Sequence, residues 1–145
     1  MANNDDLPDD RFAKICPLYS LLNAKLNQFG VFKEDLLVDE QMLPYFGRHS
    51  GKMYMRGKPV KFGYKLWVLA SASGYPFQLS LYAGKTTNQH GDGEPLGSRV
   101  ILQLLECIQD LLFYSVTFDN FFTSINLLNT VKENRFAVTG TVRYN

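Results

Sequence analysis

Cysteines and long apolar runs are scarce in this sequence, and their scarcity excludes several classes of protein. Two cysteines occur among the 145 residues. Cys16 and Cys107 are far apart and belong to no C-x-x-C pair, so neither a disulfide framework nor a zinc site is indicated, and we expect two buried, reduced thiols. No apolar run approaches the length of a membrane span, and the acidic amino end, MANNDDLPDD, lacks the features of a signal peptide. These observations predict a soluble, intracellular protein.

Several familiar catalytic motifs are missing as well. Gly84-Lys85-Thr86 resembles the end of a phosphate-binding loop, but that loop requires a glycine five residues before Gly84, where this sequence has Leu79. No G-x-S-x-G nucleophile motif occurs. The histidines, His49 and His90, lie in predicted loops and are not at metal-ligand spacing. We therefore exclude P-loop nucleotide binding and serine hydrolase chemistry, and we expect both histidines to be surface residues.

Asp and Glu are absent from Gln41 through Gly91, although the whole chain is nearly neutral, with a formal net charge of +1. Globular surfaces normally mix both signs, so an acid-free segment of this length is unusual. Aromatic residues alternate with its cations, a pattern that can contact phosphates while the rings stack or pack. The alternative is a solvated basic ribbon whose aromatic side chains lie in the core. The cations of the acid-free segment are Arg48, Lys52, Arg56, Lys58, Lys61, Lys65 and Lys85.

The length and the 46% hydrophobic content allow one sizeable core, which is one domain or part of one. Apolar residues at helical spacing predict three helices, and short apolar or alternating runs predict five strands. Residues 44–61 and 84–97 are rich in glycine, proline and polar residues and are expected to be irregular. The predicted helices are 11–29, a second from Ser98 to Ile108 and a third from Thr123 or Ser124 to Val131; the predicted strands are 36–38, 64–72, 77–83, 114–118 and 137–142.

The order of these elements predicts a mixed α/β sheet flanked by helices, because three consecutive strands are followed by strands that alternate with helices. Two aspartates directly follow apolar strands, Asp39 after LLV and Asp119 after VTF. Both strands are continuously apolar, so we expect both to be buried. Neighbouring carboxylates at strand ends suit a hard cation such as Mg²⁺, which binds one or two carboxylates together with water and phosphate oxygens. Ordinary strand-end or helix-capping aspartates are the alternative.

A series of short motifs runs in order and in register from about Leu36 to the last residue. Together these motifs resemble the catalytic core of piggyBac transposases and of the host proteins derived from them. The motifs are VDEQM at 38–42, Gly47-Arg48, Tyr54-Met55, Lys58-Pro59, KFGYK at 61–65, Pro95-Leu96-Gly97, FDNFFTS at 118–124 and GTVR at 140–143.

The resemblance implies an RNase H-like fold, incomplete here at its C-terminal end, in which three aspartates hold two divalent cations that serve to cut and join DNA. By motif, Asp39 and Asp119 are the first two catalytic and metal-binding aspartates, and the third belongs to a later helix that this sequence does not reach. We therefore expect residues 1–35 to be the end of a helical dimerisation and DNA-binding region and residues 36–145 to be a partial catalytic domain. Mg²⁺ or Mn²⁺ is expected only in the full-length enzyme, and the chain alone is expected to be inactive.

The same resemblance predicts a partner and a location. The expected partner is DNA in the form of transposon ends, with a homodimer expected only for the full-length form, no membrane contact, and a nuclear location. The cations that follow the first catalytic strand are expected to hold the DNA phosphates. They are Arg48, Lys52, Arg56, Lys58, Lys61 and Lys65.

Three classes of function stay open. The first is a transposase core that is active only in the full-length protein, and retention of Asp39 and Asp119 favours it. The second is a domesticated DNA-binding or chromatin-associated protein that keeps the fold without catalysis. The third is a protein-interaction module, for which the acid-free segment would be accidental.

Overall fold

The structure, a computed structural model, describes residues 12–31, 35–82, 95–109 and 113–142. Within these residues the chain forms three helices and six strands. The helices are α1 (Cys16–Phe29), α2 (Leu96–Leu105) and α3 (Ile125–Glu133), and the strands are β1 (Asp35–Pro44), β2 (Met53–Tyr54), β3 (Phe62–Ser71), β4 (Pro76–Leu81), β5 (Ser115–Phe118) and β6 (Ala137–Gly140).

Five of these strands lie side by side in the order β4-β3-β1-β5-β6, and the short β2 pairs with the start of β3. β1 runs antiparallel to β3 and parallel to β5, and β5 runs parallel to β6. This arrangement confirms the mixed α/β sheet that the order of elements predicts. The sequence pattern misses β2 because a strand of two residues is too short for alternation to show.

The core lies on one face of the sheet, under α2 and α3. Alternate residues of β1 and β3 face it, with Val38, Trp67 and Leu69 almost fully buried. The two helices supply the opposing side chains: Val100, Ile101, Leu104 and Leu105 from α2, and Leu127 and Val131 from α3.

Gly97 brings α2 close to the chain that follows β5. A Cβ atom at Gly97 would lie 3.0 Å from both the carbonyl oxygen of Phe121 and the Cα atom of Phe122. A side chain at this position would therefore push the helix away from the turn that carries Asp119.

β1 and β5 are buried on one face only, so the prediction that both strands are buried throughout is wrong. Leu36 and Val38 are buried, whereas Leu37 between them is 42% exposed, and Ser115 and Thr117 of β5 are partly exposed. A continuous apolar run indicates a buried strand only where helices cover both faces of a sheet. In the described part of the chain the second face of β1 remains accessible.

α1 packs beside β4 through polar contacts, and none of its residues is buried. The side chain of Asn23 accepts from the backbone N–H of Leu79 and donates to its carbonyl, both at 2.9 Å. These bonds satisfy the backbone of an edge strand that would otherwise be open to pairing. The hydroxyl of Tyr75 also donates to the carbonyl of Leu26 at 2.9 Å. The division into residues 1–35 and 36–145 stays a prediction.

Two helix starts show how well capping patterns predict boundaries. Ser124 caps α3 as predicted, because its hydroxyl accepts from the N–H of Leu127 at 3.2 Å. The prediction that Ser98 caps α2 is wrong: the helix begins at Leu96, and Ser98 is buried within its first turn. Pro95 occupies the cap position, and proline favours helix starts because its φ is already near the helical value.

The cysteine environments differ from the expectation of two buried thiols. Cys16 is exposed at the start of α1, and Cys107 is partly buried. Burial raises the pKa of the Cys107 thiol to about 11, so this cysteine stays protonated near neutral pH. His49 is exposed, as expected. The predicted irregular segment 84–97, with Lys85 and His90, lies mostly outside the described residues.

Truncating Leu69 tests the position of the core. Leu69→Ala removes a side chain that is 0% exposed, and we expect it to lower the free energy of unfolding by about 2–5 kcal/mol. The matched control is Leu37→Ala on the neighbouring strand, where the accessible side chain should contribute much less. Urea denaturation of both variants measures the difference, and equal losses would contradict burial on a single face.

Candidate active site

Parallel pairing of β1 and β5 places Asp39 beside Asp119. The register pairs Leu37 with Thr117 and Val38 with Phe118, so the two aspartates are the next residues on neighbouring strands. Val38 and Phe118 both point into the core. Because side chains alternate along a strand, Asp39 points to the opposite, accessible face. Asp119 directly follows the end of β5 and is also exposed. The predicted neighbouring strands are thus confirmed, and the joint role of Asp39 and Asp119 as a metal site stays a prediction.

Asp39 lies inside its strand and not at the strand end. β1 continues to Pro44, but its pairing with β5 stops at Val38. Beyond that point the carboxylate of Asp39 accepts a hydrogen bond from the N–H of Glu40 at 2.7 Å. The side chain is therefore tied to the backbone of a strand that β3 still holds on its other edge.

Asp119 is fixed by a tight turn. Its carboxylate accepts from the N–H of Phe121 at 3.0 Å, the arrangement in which an aspartate stabilises the turn that follows it. Its carbonyl accepts from the N–H of Phe122 at 3.2 Å and from the hydroxyl of Thr123 at 3.0 Å. Among the described residues, the second oxygen of each aspartate has no hydrogen-bond partner and is available to a ligand.

Glu40, directly after Asp39, binds two lysines on the core side of the sheet. Its carboxylate lies 3.0 Å from the Lys58 Nζ atom and 2.5 Å from the Lys65 Nζ atom. Partial burial raises the pKa of the Glu40 carboxyl, but the hydrogen bonds and charges of Lys65 and Lys58 outweigh burial, and the net pKa is lower than usual. Glu40 is therefore ionised at neutral pH and holds both lysines in place.

Lys65 is buried among aromatic rings. Its Nζ atom lies 3.9 Å from the ring centre of Trp67 and 5.2 Å from that of Phe121, within the range of cation–π attraction. Trp67 in turn stacks on Phe121 at 5.5 Å and packs edge-on against Phe122 at 5.2 Å. A continuous series of contacts thus links Glu40, beside one aspartate, to the turn that holds the other.

Lys58, in the hairpin between β2 and β3, also reaches the Glu40 carboxylate. Its hydrogen bond to Glu40 raises the pKa of its ammonium group, partial desolvation opposes this, and the negative charges of Glu40, Asp39 and Asp119 raise it further. Lys58 therefore carries a positive charge near both aspartates. This ammonium reduces the repulsion between two carboxylates that lie side by side.

The predicted DNA-binding cations fall into three environments. Arg48, Arg56 and Lys61 are exposed, and Lys52 and Lys58 are partly exposed. Lys65 is only 8% exposed and bonded to Glu40, which leaves little of it for a phosphate. Its assignment as a DNA contact stays a prediction, but its surroundings favour a structural role.

The two aspartates fit one hard cation and not a complete two-metal site. Mg²⁺ binds proteins through one or two carboxylates and fills its remaining positions with water and phosphate oxygens. One exposed carboxylate on β1 and another directly after β5 are of the ligand type that such a cation takes. Within the described ranges, no group of three or more His, Cys, Asp or Glu residues lies close enough to hold a metal.

Sequence patterns missed Glu40, Trp67 and Phe121, which connect the two aspartates. One signal was available, since Glu40 is the last acidic residue before the acid-free segment. An acid at the edge of a segment with many cations is a natural centre for ion pairs. The aromatic residues offered no such signal, because any of them could equally be ordinary core.

Comparison with known proteins gives consistent matches over the whole chain. A family model described as "Transposase IS4" matches residues 1–145. The chain is 40% identical over 146 residues to the human "PiggyBac transposable element-derived protein 3", covering 99% of this chain and 25% of that protein. It is 32% identical over 145 residues to the human "PiggyBac transposable element-derived protein 2", covering 98% and 24% respectively. The chain thus spans about a quarter of the length of these relatives.

The fold also matches a solved structure, that of a "piggyBac transposase synaptic complex with hairpin DNA". The TM-score is 0.85 at 28% sequence identity, and the match covers 100% of this chain and 31% of the other. This likeness confirms the predicted RNase H-like fold. In the described part of the chain, no helix has both the length and the hydropathy needed to cross a membrane.

Replacing Glu40 tests the ion-pair network. Glu40→Gln leaves two lysines without their counter-charge, and we expect the free energy of unfolding to fall by about 1.5–3 kcal/mol, the usual contribution of hydrogen bonds to charged groups. Because the pKa of Glu40 is lowered in the folded state, its contribution is present above its unfolded pKa and is lost as the pH falls through the folded value. The difference between parent and variant should therefore shrink at acid pH.

The matched control for this measurement is Glu133→Gln, at an exposed position on α3, which should change stability by less than about 0.5 kcal/mol. A double-mutant cycle with Lys58→Met isolates the pair. If the losses from Glu40→Gln and Lys58→Met were simply additive, the two side chains would not interact in solution.

Proposed function

This chain belongs to the Transposase IS4 family, among its piggyBac-type members, and we propose that it supplies two metal-binding carboxylates and a phosphate-binding surface to a DNA-cleaving core. The observation that supports the proposal is the register of β1 and β5, in which Asp39 and Asp119 directly follow the last paired residues, Val38 and Phe118. Transposases of this kind generally use divalent metal ions. The cation expected here is Mg²⁺ or Mn²⁺.

Asp39 and Asp119 would hold the cation. The chain contributes to this by fixing the direction of both carboxylates. Each carboxylate uses one oxygen to bond a backbone N–H, which sets its direction before any ligand arrives. When bound, divalent ions clamp the scissile phosphate and stabilise the oxygen that leaves it. A rigid position for such ions would favour fast cleavage, because small misplacements of reacting groups lower the reaction rate by large factors.

Exposed cations of the acid-free segment would bind the DNA backbone. Arg48, Arg56 and Lys61 are exposed within or beside the loops that join β1, β2 and β3. Lys58 lies closer to the aspartates, where it would meet a phosphate near the cleaved bond. Contacts of this kind fix position on DNA and carry no sequence information.

Two carboxylates do not complete a two-metal site, so we propose that this chain alone binds one ion loosely and does not cut DNA. Strand cleavage and transfer, a homodimer and a third aspartate belong to the proposal for a full-length protein. A nuclear location is part of the same proposal, and the position of a fluorescent fusion would test it.

A domesticated protein that binds DNA or chromatin without cutting is the second candidate function. Two of the relatives are named as transposable element-derived proteins. Lys58 also offsets part of the charge of the aspartate pair, so the pair can persist without a metal. An extended chain that binds DNA but does not cleave it in Mn²⁺ would favour this candidate.

Metal binding tests the role of the aspartates directly. Titration of the full chain with Mn²⁺, followed by electron paramagnetic resonance, should show weak binding that Asp39→Asn and Asp119→Asn each reduce by about tenfold or more, which is about 1.4 kcal/mol. The matched control is Asp35→Asn, an exposed aspartate at the opposite end of β1, which should leave binding unchanged. The assignment fails if all three variants bind as the parent does.

Salt dependence tests the phosphate-binding surface. DNA binding by the parent chain should weaken steeply with salt because each phosphate contact releases counterions. Reversing Arg48, Arg56 and Lys61 to Glu should flatten the slope of log K against log salt by about 2 to 3. Reversing three exposed lysines elsewhere, Lys14, Lys25 and Lys132, provides the control. Equal slopes for the two triple variants would show that the acid-free segment is only a solvated surface.

A further inference from the structure

Three large aromatic side chains in and beside the β2–β3 hairpin are exposed. Phe46 is 86% exposed, Tyr54 is 56% exposed and Phe62 is 45% exposed. Single exposed aromatic residues are common on protein surfaces. Three within seventeen positions of one hairpin region, all large, form an apolar surface of the kind that usually contacts a partner.

Contacts in the hairpin join two of these rings and connect them to the loop that carries the third. Tyr54 and Phe62 are directly paired across β2 and β3, so they share a face, and their ring centres are 4.9 Å apart. The Lys52 Nζ atom lies 5.6 Å from the Phe62 ring centre and donates to the carbonyl of Gly47 at 3.1 Å. Lys52 thus joins the paired rings to the loop that carries Phe46.

We propose that this stacking platform, Phe46, Tyr54 and Phe62 with Lys52, binds unpaired bases of DNA. The inference rests on the proposed contact between the chain and DNA, and it goes further by naming single-stranded or unpaired nucleotides as the ligand. Aromatic side chains bind exposed bases by stacking, and cations beside them bind the intervening phosphates. Bases inside a duplex offer their edges and not their faces, so a surface of exposed rings does not suit paired DNA.

Charge distinguishes a nucleic acid from a protein as the occupant. Between Pro44 and Tyr64 the sequence contains five cations and no acid. An apolar protein segment would need the rings but not the cations. A nucleotide strand needs both, because each base that stacks brings a phosphate with it.

The platform is also separate from the ion pairs of Glu40. Glu40 and the aromatic rings around Lys65 occupy the core side of the sheet, and none of the three platform rings takes part in that network. Changing the platform rings should therefore alter the choice between paired and unpaired DNA without breaking the ion pairs of Glu40.

The experiment compares three fluorescent DNA probes with the full 145-residue chain: a single strand of about twelve nucleotides, the same strand with abasic sites at its central positions, and the corresponding duplex. The abasic strand keeps every phosphate and loses only the bases. Fluorescence anisotropy should show that the strand with bases binds about tenfold tighter than the abasic strand. At a salt concentration that offsets the higher charge density of the duplex, the duplex should bind no more tightly than the abasic strand.

Side-chain variants assign the preference to the platform. The double variant Tyr54→Leu with Phe62→Leu keeps apolar volume and removes the rings, and it should bind both single strands equally, with abasic binding within about twofold of the parent. The control double variant, Phe29→Leu with Phe113→Leu, changes two other exposed rings and should keep the tenfold preference. Circular dichroism melts confirm that each variant is folded.

The outcomes separate this inference from the proposed function. If the parent binds both single strands equally and with steep salt dependence, the platform is overturned while the phosphate contacts stand. If no probe binds, both proposals fail. A tenfold preference that survives in the Tyr54 and Phe62 variant would place base stacking elsewhere and also overturn the platform. The comparison of probes needs no variant, so a misfolded variant would not prevent the test.

Discussion

The ion pair between Glu40 and Lys65 is the interaction on which the geometry of the aspartate pair depends. Its cost is high, because both charges lie largely out of water, and such pairs repay their desolvation only when geometry and additional contacts are good. Here Lys65 gains the ring of Trp67 at 3.9 Å, and Glu40 gains a second lysine, Lys58. The pair also fixes direction: Glu40 is held on the core side, so its neighbour Asp39 must point to the accessible side.

The same contacts constrain the second aspartate through aromatic packing. Trp67 stacks on Phe121 and meets Phe122 edge-on, and these two residues form the turn that Asp119 bonds. Gly97 allows the start of α2 to approach that turn. Asp39 and Asp119 are 80 positions apart in the sequence, yet both are set by side chains around one lysine. The FDNFFTS and PLG motifs are therefore explained by packing as much as by chemistry.

Sequence reasoning predicted the strands and the aspartate pair because both depend on local patterns. Apolar runs show where β1 and β5 lie, and an acid directly after each run shows where the carboxylates emerge. Which face of the sheet each side chain occupies was harder to predict. Lys65 was grouped with the surface cations, although its alternation with Trp67 and Leu69 along β3 places it on the core side. A count of charges cannot reveal this, whereas the period of two along a strand can. The burial of β1 and β5 was overestimated because apolar content shows that a strand can be buried and does not show whether other elements cover both of its faces.

The charges around the aspartates also affect how the proposed metal ion and DNA phosphate would bind. Three carboxylates, Asp39, Glu40 and Asp119, lie near two ammonium groups, Lys58 and Lys65, which leaves one negative charge in excess. That excess would attract a cation, while the two lysines reduce the repulsion among the three carboxylates. A divalent ion bound as proposed would change this to one positive charge, and a DNA phosphate, with one negative charge, would then restore neutrality. The net charge would thus be zero only when the metal and the phosphate are both bound. Because the metal would change the net charge from one negative to one positive, metal and DNA phosphate should each strengthen the binding of the other.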